Sequence, residues 1–399
     1  MGEAGRIGGA GEGSAIVVGG GIGGLAAGVA LARIGRRVKV LERAAAFGEV
    51  GAGLSLWPNG LRALDALGVG DQVREHALAE TRAGIRNASG RWLSHTDTQE
   101  LARRFGPVVM MHRARLSEIL RTALPPGALC ADTEVTGVAL RGRRIEVAHG
   151  TDASRADLLV AADGIGSTVR RSLWPQAPAP RYAGYTAWRL VVGTGGRLPA
   201  GGESWGRGER VGIAPLADGR AYLFCVANAP EGQRSPGGEL AEIRRRFGRW
   251  HEPIPDLLAA ADETAVLRHD IYELPPLDGF VTGRAALLGD AAHAMTPNLG
   301  QGANQALEDA VTLAACLDAH PGVESALAAY DRHRRPRAQA IARRSRRIGS
   351  AAQWRSAPAT ALRDLTLRLT PGPAVLRALT PVLDWRAPGR DNLPADHGR

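Results

Sequence analysis

The sequence predicts an α/β fold, α+β overall: a unit of parallel strands and helices, an antiparallel sheet set into it, and helices at the C-terminal end. Three observations predict it. Near the start, a short apolar strand runs straight into a glycine-rich turn and an apolar helix. Two later strands end in Asp-Gly and Gly-Asp. Between about residues 171 and 268 the pattern changes to short alternating segments bounded by Gly, Pro and Asp.

The opening strand is SAIVV, followed by Gly19-Gly20-Gly21-Ile22-Gly23-Gly24 and the helical LAAGVALARIG. The G-x-G-x-x-G spacing falls on Gly19, Gly21 and Gly24. Gly19 permits a tight turn, Gly21 lets backbone approach a pyrophosphate, and Gly24 allows close helix–strand packing. Phosphates would sit on the helix N-terminus, where free N–H groups and the dipole favour negative charge. A second strand ends at Glu42, whose carboxylate can accept the hydroxyl protons of an adenosine ribose, with Arg43 just beyond. The order marks a Rossmann-like dinucleotide site, but does not say which dinucleotide.

The later segments are ADLLVAADGIGSTVR, carrying Asp163-Gly164, Ser167 and Arg170, and RAALLGDAAHAMTPNLGQGANQALEDA. The second carries Gly289-Asp290, Pro297, a Gly-rich loop and a long helix. With these in place the chain resembles the group A flavoprotein monooxygenases, the p-hydroxybenzoate hydroxylase fold. It is most similar to the branch holding salicylate hydroxylase-like and urate hydroxylase-like enzymes and zeaxanthin epoxidase. GAGLSLWPNGLRALDALGV, HRARL, GYTAWR and ELPPL carry the resemblance across nearly the whole chain.

The resemblance implies non-covalent FAD, NADH or NADPH as a visiting reductant, and O2 as co-substrate. It implies transfer of one oxygen atom through a flavin C4a-hydroperoxide to an aromatic or polyketide-like small molecule, or to an alkene as the alternative. The cofactor would carry that chemistry, and no residue stands out as a general base. By the same resemblance Asp290 would hold a ribityl hydroxyl, and Pro297, Gly300, Gly302, Ala303 and Asn304 would line the flavin ring. The helix starting near Gln301 would aim its positive end at N1 and O2. Asp163-Gly164 would touch flavin and nicotinamide cofactor, and Arg113 the FAD side, with a salt-bridged surface arginine as the alternative there. Gly53 completes the cofactor candidates. His293 reads as a loop-orienting residue.

The alternating segments YTAWRLVVG, ERVGIAPL and AYLFCVAN read as antiparallel strands. Alternation puts Tyr222 with Phe224 on one face, and Thr186 with Trp188 on one face of theirs; it does not say which face meets the cofactor. The pocket candidates are Trp188, Arg189, Trp205, Arg207, Tyr222 and Phe224, plus Met295 and Asn298. For each aromatic, core packing is an equal reading.

A discontinuous FAD-binding domain is expected over residues 1–75, 100–175 and 269–345. A substrate domain is expected over 76–99 and 176–268, and a helical segment over 346–399. Residues 1–13, rich in Gly and Ala, read as a disordered tail rather than a secretory signal. Three widely spaced cysteines, Cys130, Cys225 and Cys316, suit reduced thiols in a cytoplasmic protein and give neither a disulfide framework nor a metal site. Net charge is +10, almost all arginine, since Lys39 is the only lysine. That skew, with few aromatics in the basic run 332–347, argues against nucleic acid as a partner. No apolar run is long enough for a membrane span. A monomer or homodimer is expected. A flavin-dependent halogenase would need a lysine near the flavin and a W-x-W-x-I-P signature, which this sequence lacks. A flavin-dependent reductase, a non-catalytic flavin binder and a basic nucleic-acid binder are the remaining alternatives.

Overall fold

In the computed structural model, residues 13–46, 52–80, 83–196 and 199–389 are described; the tail expected at 1–13 falls, apart from Gly13, outside them. The core is a six-stranded sheet in the order Val281–Thr282, Ala285–Leu287, Leu158–Ala161, Ser14–Val18, Arg37–Leu41, Leu129–Cys130. Every pairing in it is parallel except that of the first two strands. Leu158–Ala161 is buried at all four positions, the unbroken apolar run expected of a strand covered on both faces. Helices Ile22–Arg33 and Gly302–Ala319 are packed against each other and are buried along most of their length.

Parallel neighbours end at the same edge, and backbone hydrogen bonds fix that alignment. Gly19 donates to the Leu41 carbonyl at 2.8 Å, Ala162 to Val18 at 2.8 Å and Leu288 to Ala161 at 2.9 Å. The turns after four strands therefore share one rim, the place where open α/β sheets bind ligands.

The second large sheet has seven strands: Leu267–Glu273, Arg181–Gly193, Arg220–Asn228, Glu209–Pro215, Gly202–Trp205, Ala83–Asn87 and Trp92–Thr96. The strands at 83–96 join its edge, and residues 268 and 269 both lie inside one of its strands. One face packs Trp188, Leu190, Leu223 and Cys225 against Ile243, Phe247, Ile254 and Leu258. These come from helices Glu239–Phe247 and Ile254–Ala259. The register places Ala187, Arg189, Arg210, Tyr222 and Phe224 on the opposite face.

A three-stranded sheet of Gly53–Leu56, Val109–His112 and Leu78–Ala79 lies between the two large ones. A further three-stranded meander, from Val135 to Ala156, was not anticipated. Helices Val323–Ala352, Ala357–Leu369 and Gly372–Leu383 close the chain. Among the described residues no helix is long and apolar enough to cross a membrane, and no group of His, Cys, Asp and Glu could hold a metal ion.

Candidate active site

The glycine turn is shaped by contacts no side chain would survive. A Cβ on Gly19, at φ +102°, would lie 2.4 Å from the Ala162 carbonyl oxygen, and one on Gly24 would lie 1.9 Å from that of Gly19. At Gly21, Gly164 and Gly302 the reverse holds: a Cβ would meet nothing within 4 Å. These three face open space on the rim. Gly21 is the N-cap of helix Ile22–Arg33, which has no side-chain cap, so its first N–H groups point outward unclaimed. The Glu42 carboxylate accepts from the backbone of Gly20 and, at 2.9 Å, of Ala44, fixing it at the end of its strand. Arg43 is exposed beside it.

The Asp163 turn adjoins the same place, with Asp163 Cα 3.0 Å from where a Gly19 Cβ would be. Its Oδ2 accepts from Val169 N–H at 3.1 Å, while Oδ1 is buried with no partner. Ser167 caps the next helix by accepting from Arg170 N–H at 2.9 Å. The buried Arg170 guanidinium donates to the carbonyls of Ile165 and, at 2.7 Å, of Ala291. One side chain thus ties the Asp-Gly turn to the Gly-Asp turn.

Asp290 opens a short helix with its side chain exposed at the rim. The turn hangs from a buried charge network. Asp309 Oδ2 accepts from Gly289 N–H at 2.9 Å and contacts His293 Nε2 at 2.6 Å, while its Oδ1 accepts from Arg334 Nε at 2.6 Å. Burial alone would raise the Asp309 carboxyl, but the His293 ring and the Arg334 guanidinium hold it well below the usual carboxylate range. Glu308, also fully buried, accepts from Asn59, Gln305, Arg334 and Arg337. His293 is therefore placed to orient the turn.

Pro297–Leu299 makes a 3-10 turn that ends at Gly300 in the left-handed region. Trp57 Nε1 lies 3.0 Å from a Gly300 Cβ position, closing that side. Asn304 holds the loop from within the helix: its Oδ1 accepts from Trp57 N–H at 3.0 Å, and its Nδ2 donates to the Gly300 carbonyl at 2.8 Å. Ala303 stands partly exposed beside it. A Cβ on Gly53 would meet the Tyr222 ring at 2.6 Å, so the sheets close tightly there. Arg113 donates its backbone N–H to Ala52 and presents an exposed side chain. Burial raises the Tyr222 phenol, while the charges of Arg189 and Arg113 oppose that rise.

Substrate-side candidates divide by face. Tyr222 and Phe224 stand on the rim side, their ring centroids 6.0 Å apart. Arg189 is on the same face. Trp188 must be withdrawn as a pocket residue: it lies in the core of the far face, and its Nε1 donates to Glu239 at 2.6 Å. Arg207 must be withdrawn as well. The chain turns where Gly206 donates to the Glu209 carbonyl at 2.8 Å, leaving Arg207 exposed and donating to Arg355 O. Trp205 is on the rim-side face but committed, with Nε1 on Glu203 at 2.7 Å and the Arg363 guanidinium over its ring. Met295 packs in an apolar cluster with Trp57, Leu299 and Ile341.

Asn298 is held at its turn by Tyr185 OH, Thr296 and the Ser345 carbonyl. Its Oδ1 accepts from Arg210 Nη2 at 2.8 Å. Sequence reasoning missed Arg210 and Tyr185. Arg210 is 2% exposed, and its Nε donates to Gln353 at 3.0 Å. A signal existed: Arg210 begins an apolar alternating run, whereas Arg207 sits between two glycines.

Three buried polar atoms around this rim, Trp57 Nε1, Asp163 Oδ1 and Gln301 Nε2, have no partner. With the open glycine backbones and the bare helix end, they fit a polar, pyrophosphate-bearing ligand. A parallel sheet with one shared rim, roofed by an antiparallel sheet, is an architecture suited to a dinucleotide cofactor held below a second, cavity-lining sheet. The chain belongs to the FAD binding domain family, whose match spans residues 12–345.

It is 40% identical over 359 residues to an aurachin C monooxygenase/isomerase of Stigmatella aurantiaca, covering 89% of this chain and 93% of that one. It is 38% identical over 380 residues to a 3-amino-4-hydroxybenzoate 2-monooxygenase of Streptomyces cremeus, covering 90% and 93%. Among solved structures, Klebsiella pneumoniae HpxO complexed with FAD and uric acid superposes with a TM-score of 0.85 at 31% identity, covering 92% and 95%. The group A flavoprotein monooxygenase resemblance and the α/β fold class with C-terminal helices both stand.

Proposed function

We propose that this chain hydroxylates an aromatic or polyketide-like small molecule in the cytoplasm, consuming NADH or NADPH and O2. The observation that carries the reading is the convergence of the Gly21, Asp163 and Asp290 turns on one rim beneath a sheet face bearing Arg189, Arg210, Tyr222 and Phe224. The aromatic substrates in the names of the aminohydroxybenzoate and urate relatives support the substrate class.

FAD, when bound, supplies the redox and oxygen-transfer chemistry. Gly19, Gly21 and Gly24 would admit its pyrophosphate, Glu42 and Arg43 its adenosine end, Asp290 its ribityl chain, and Arg113 and Asp163-Gly164 the flanks. Pro297, Gly300, Gly302, Ala303 and Asn304 would border the ring, where the N-terminus of helix Gly302–Ala319 stabilises negative charge. Tyr222 and Phe224 exclude water from the substrate side. Arg210 and Asn298 set hydrogen-bonding groups at the edge of the same space.

The test is direct. Purified protein should be yellow, oxidise NAD(P)H faster with an accepted aromatic present, and give a product heavier by one oxygen atom. A colourless protein that acquires no flavin from added FAD would overturn the reading.

A further inference from the structure

Five large apolar side chains stand exposed among the described residues, and four of them, Trp354, Leu362, Leu365 and Leu369, crowd into one stretch near the C-terminal end. Leu362 is 60% exposed, Leu365 51% and Leu369 71%. Helix Ala357–Leu369 is inverted relative to an ordinary surface helix: the residues it buries are Thr360 and Arg363. Arg363 faces inward, donating to the carbonyls of Ala352 and Gly206, both at 3.1 Å, with its guanidinium over the Trp205 ring. At 3.6 residues per turn the three leucines fall within about 60° of arc. A contiguous apolar stripe turned to solvent marks an interaction surface.

Charge selects the occupant. Arg355 adjoins Trp354 and Arg368 adjoins Leu369, and neither has an ion pair among the described residues. Asp364, the helix's one acid, is paired with Arg363 at 2.9 Å. The stripe therefore carries an exposed arginine at each end, on a chain of net charge +10. A second copy docked here by a two-fold would set arginines against arginines. Residues 390–399 hold Leu393 as their one large apolar side chain, too little to cover the stripe. An anionic bilayer surface satisfies both parts: phosphate headgroups take Arg355 and Arg368, while the leucines and the Trp354 ring enter the headgroup–acyl boundary.

We propose that helix Ala357–Leu369, with Trp354, is a peripheral docking face for anionic lipid, seating the enzyme on a membrane surface without spanning it. The experiment is vesicle flotation of the full-length, FAD-loaded chain, using phosphatidylcholine vesicles with and without phosphatidylglycerol. The parent should float with the phosphatidylglycerol vesicles and detach at about 0.5 M salt. Leu362→Gln/Leu365→Gln/Leu369→Gln should reduce partitioning about tenfold or more, and Arg355→Gln/Arg368→Gln should remove the preference for anionic vesicles. Melting temperature and flavin content should stay unchanged in both variants, since every altered side chain is exposed.

A parent left behind by both vesicle types overturns the proposal, as does a triple variant that floats like the parent. Light scattering adds a third outcome: a parental dimer that the leucine changes dissociate, with no vesicle binding, would assign the stripe to self-association instead. The flotation readout does not depend on catalysis, so its failure leaves the flavoenzyme reading untouched.

Discussion

The two faces of the seven-stranded sheet obey different rules. On the far face, Trp188, Leu190, Leu223 and Cys225 meet Phe247, Ile254 and Leu258, and burial accounts for all of them at about 1.5–3 kcal/mol for each large side chain. One residue along each strand, the rim-side face carries Arg189, Arg210, Tyr222 and Phe224. Packing does not explain Arg210. A charge buried to 2% exposure costs several kcal/mol to desolvate, and here it is offset by Gln353, Asn298 and a 3.5 Å approach to Glu203. On this face a buried charge, satisfied by three protein partners, ties the strand to the Asn298 turn, a link that apolar packing would not give.

The largest test of that division is a buried charge that is structural. Arg334→Met should destabilise the protein by about 3–5 kcal/mol in denaturant titration, because Asp309 and Glu308 lose a fully buried partner. Flavin retention should fall with it, since the Gly289–Asp290 turn hangs from Asp309; full stability in the variant would remove the network from the account. Asp290→Ala should do the opposite. It leaves stability within about 0.5 kcal/mol, as expected of an exposed side chain. It should weaken FAD binding about tenfold or more, measured by fluorescence quenching of added FAD.

A paired comparison sharpens the contrast between faces. Trp188→Phe should cost about 1 kcal/mol through the lost Glu239 hydrogen bond and leave kcat/KM unchanged. Phe224→Leu should raise KM severalfold with a smaller change in melting temperature. Equal kinetic effects would erase the distinction.

The smallest effect concerns pH. Burial, and then the nearby charge of Glu203, raise the Glu80 carboxyl from 4.5 to about 7. The folded chain keeps a proton that the unfolded chain releases, so this contribution is complete below about pH 4.5 and is lost as pH rises through about 7. Glu80→Gln removes the loss. Its melting temperature should exceed the parent's at about pH 8, by an amount worth about 1 kcal/mol for this partly exposed group, and the gap should close near pH 5. A pH-independent gap would refute the assignment.

How much was legible in the sequence follows from what each part is made of. The rim is backbone geometry: Gly19 and Gly24 tolerate no Cβ, so their identity alone reports the turn, and the strand before each later motif reports its place. The sheet faces are not legible in this way. Alternation separates Thr186 and Trp188 from Ala187 and Arg189, but each set mixes an apolar with a polar side chain, and only the helices at 239–259 decide which face they cover. Arg207 and Arg210 are separated by a turn that Gly206 and Gly208 mark, but only the strand register shows that Arg210 is the one turned inward. The network of Asp309, Glu308 and Arg334 joins residues from two helices, a pairing that local patterns do not carry.

That network also sets an order of events during synthesis. Two adjacent carboxylates, Glu308 and Asp309, are fully buried in the helix that begins at the flavin loop, and the guanidinium groups that neutralise them belong to Arg334 and Arg337. A nascent chain that stops short of Arg334 holds every glycine of the rim yet lacks the guanidinium that both buried carboxylates share. The helix that begins at the flavin loop is thus anchored by side chains from helix Val323–Ala352, which leave the ribosome after every motif of the rim.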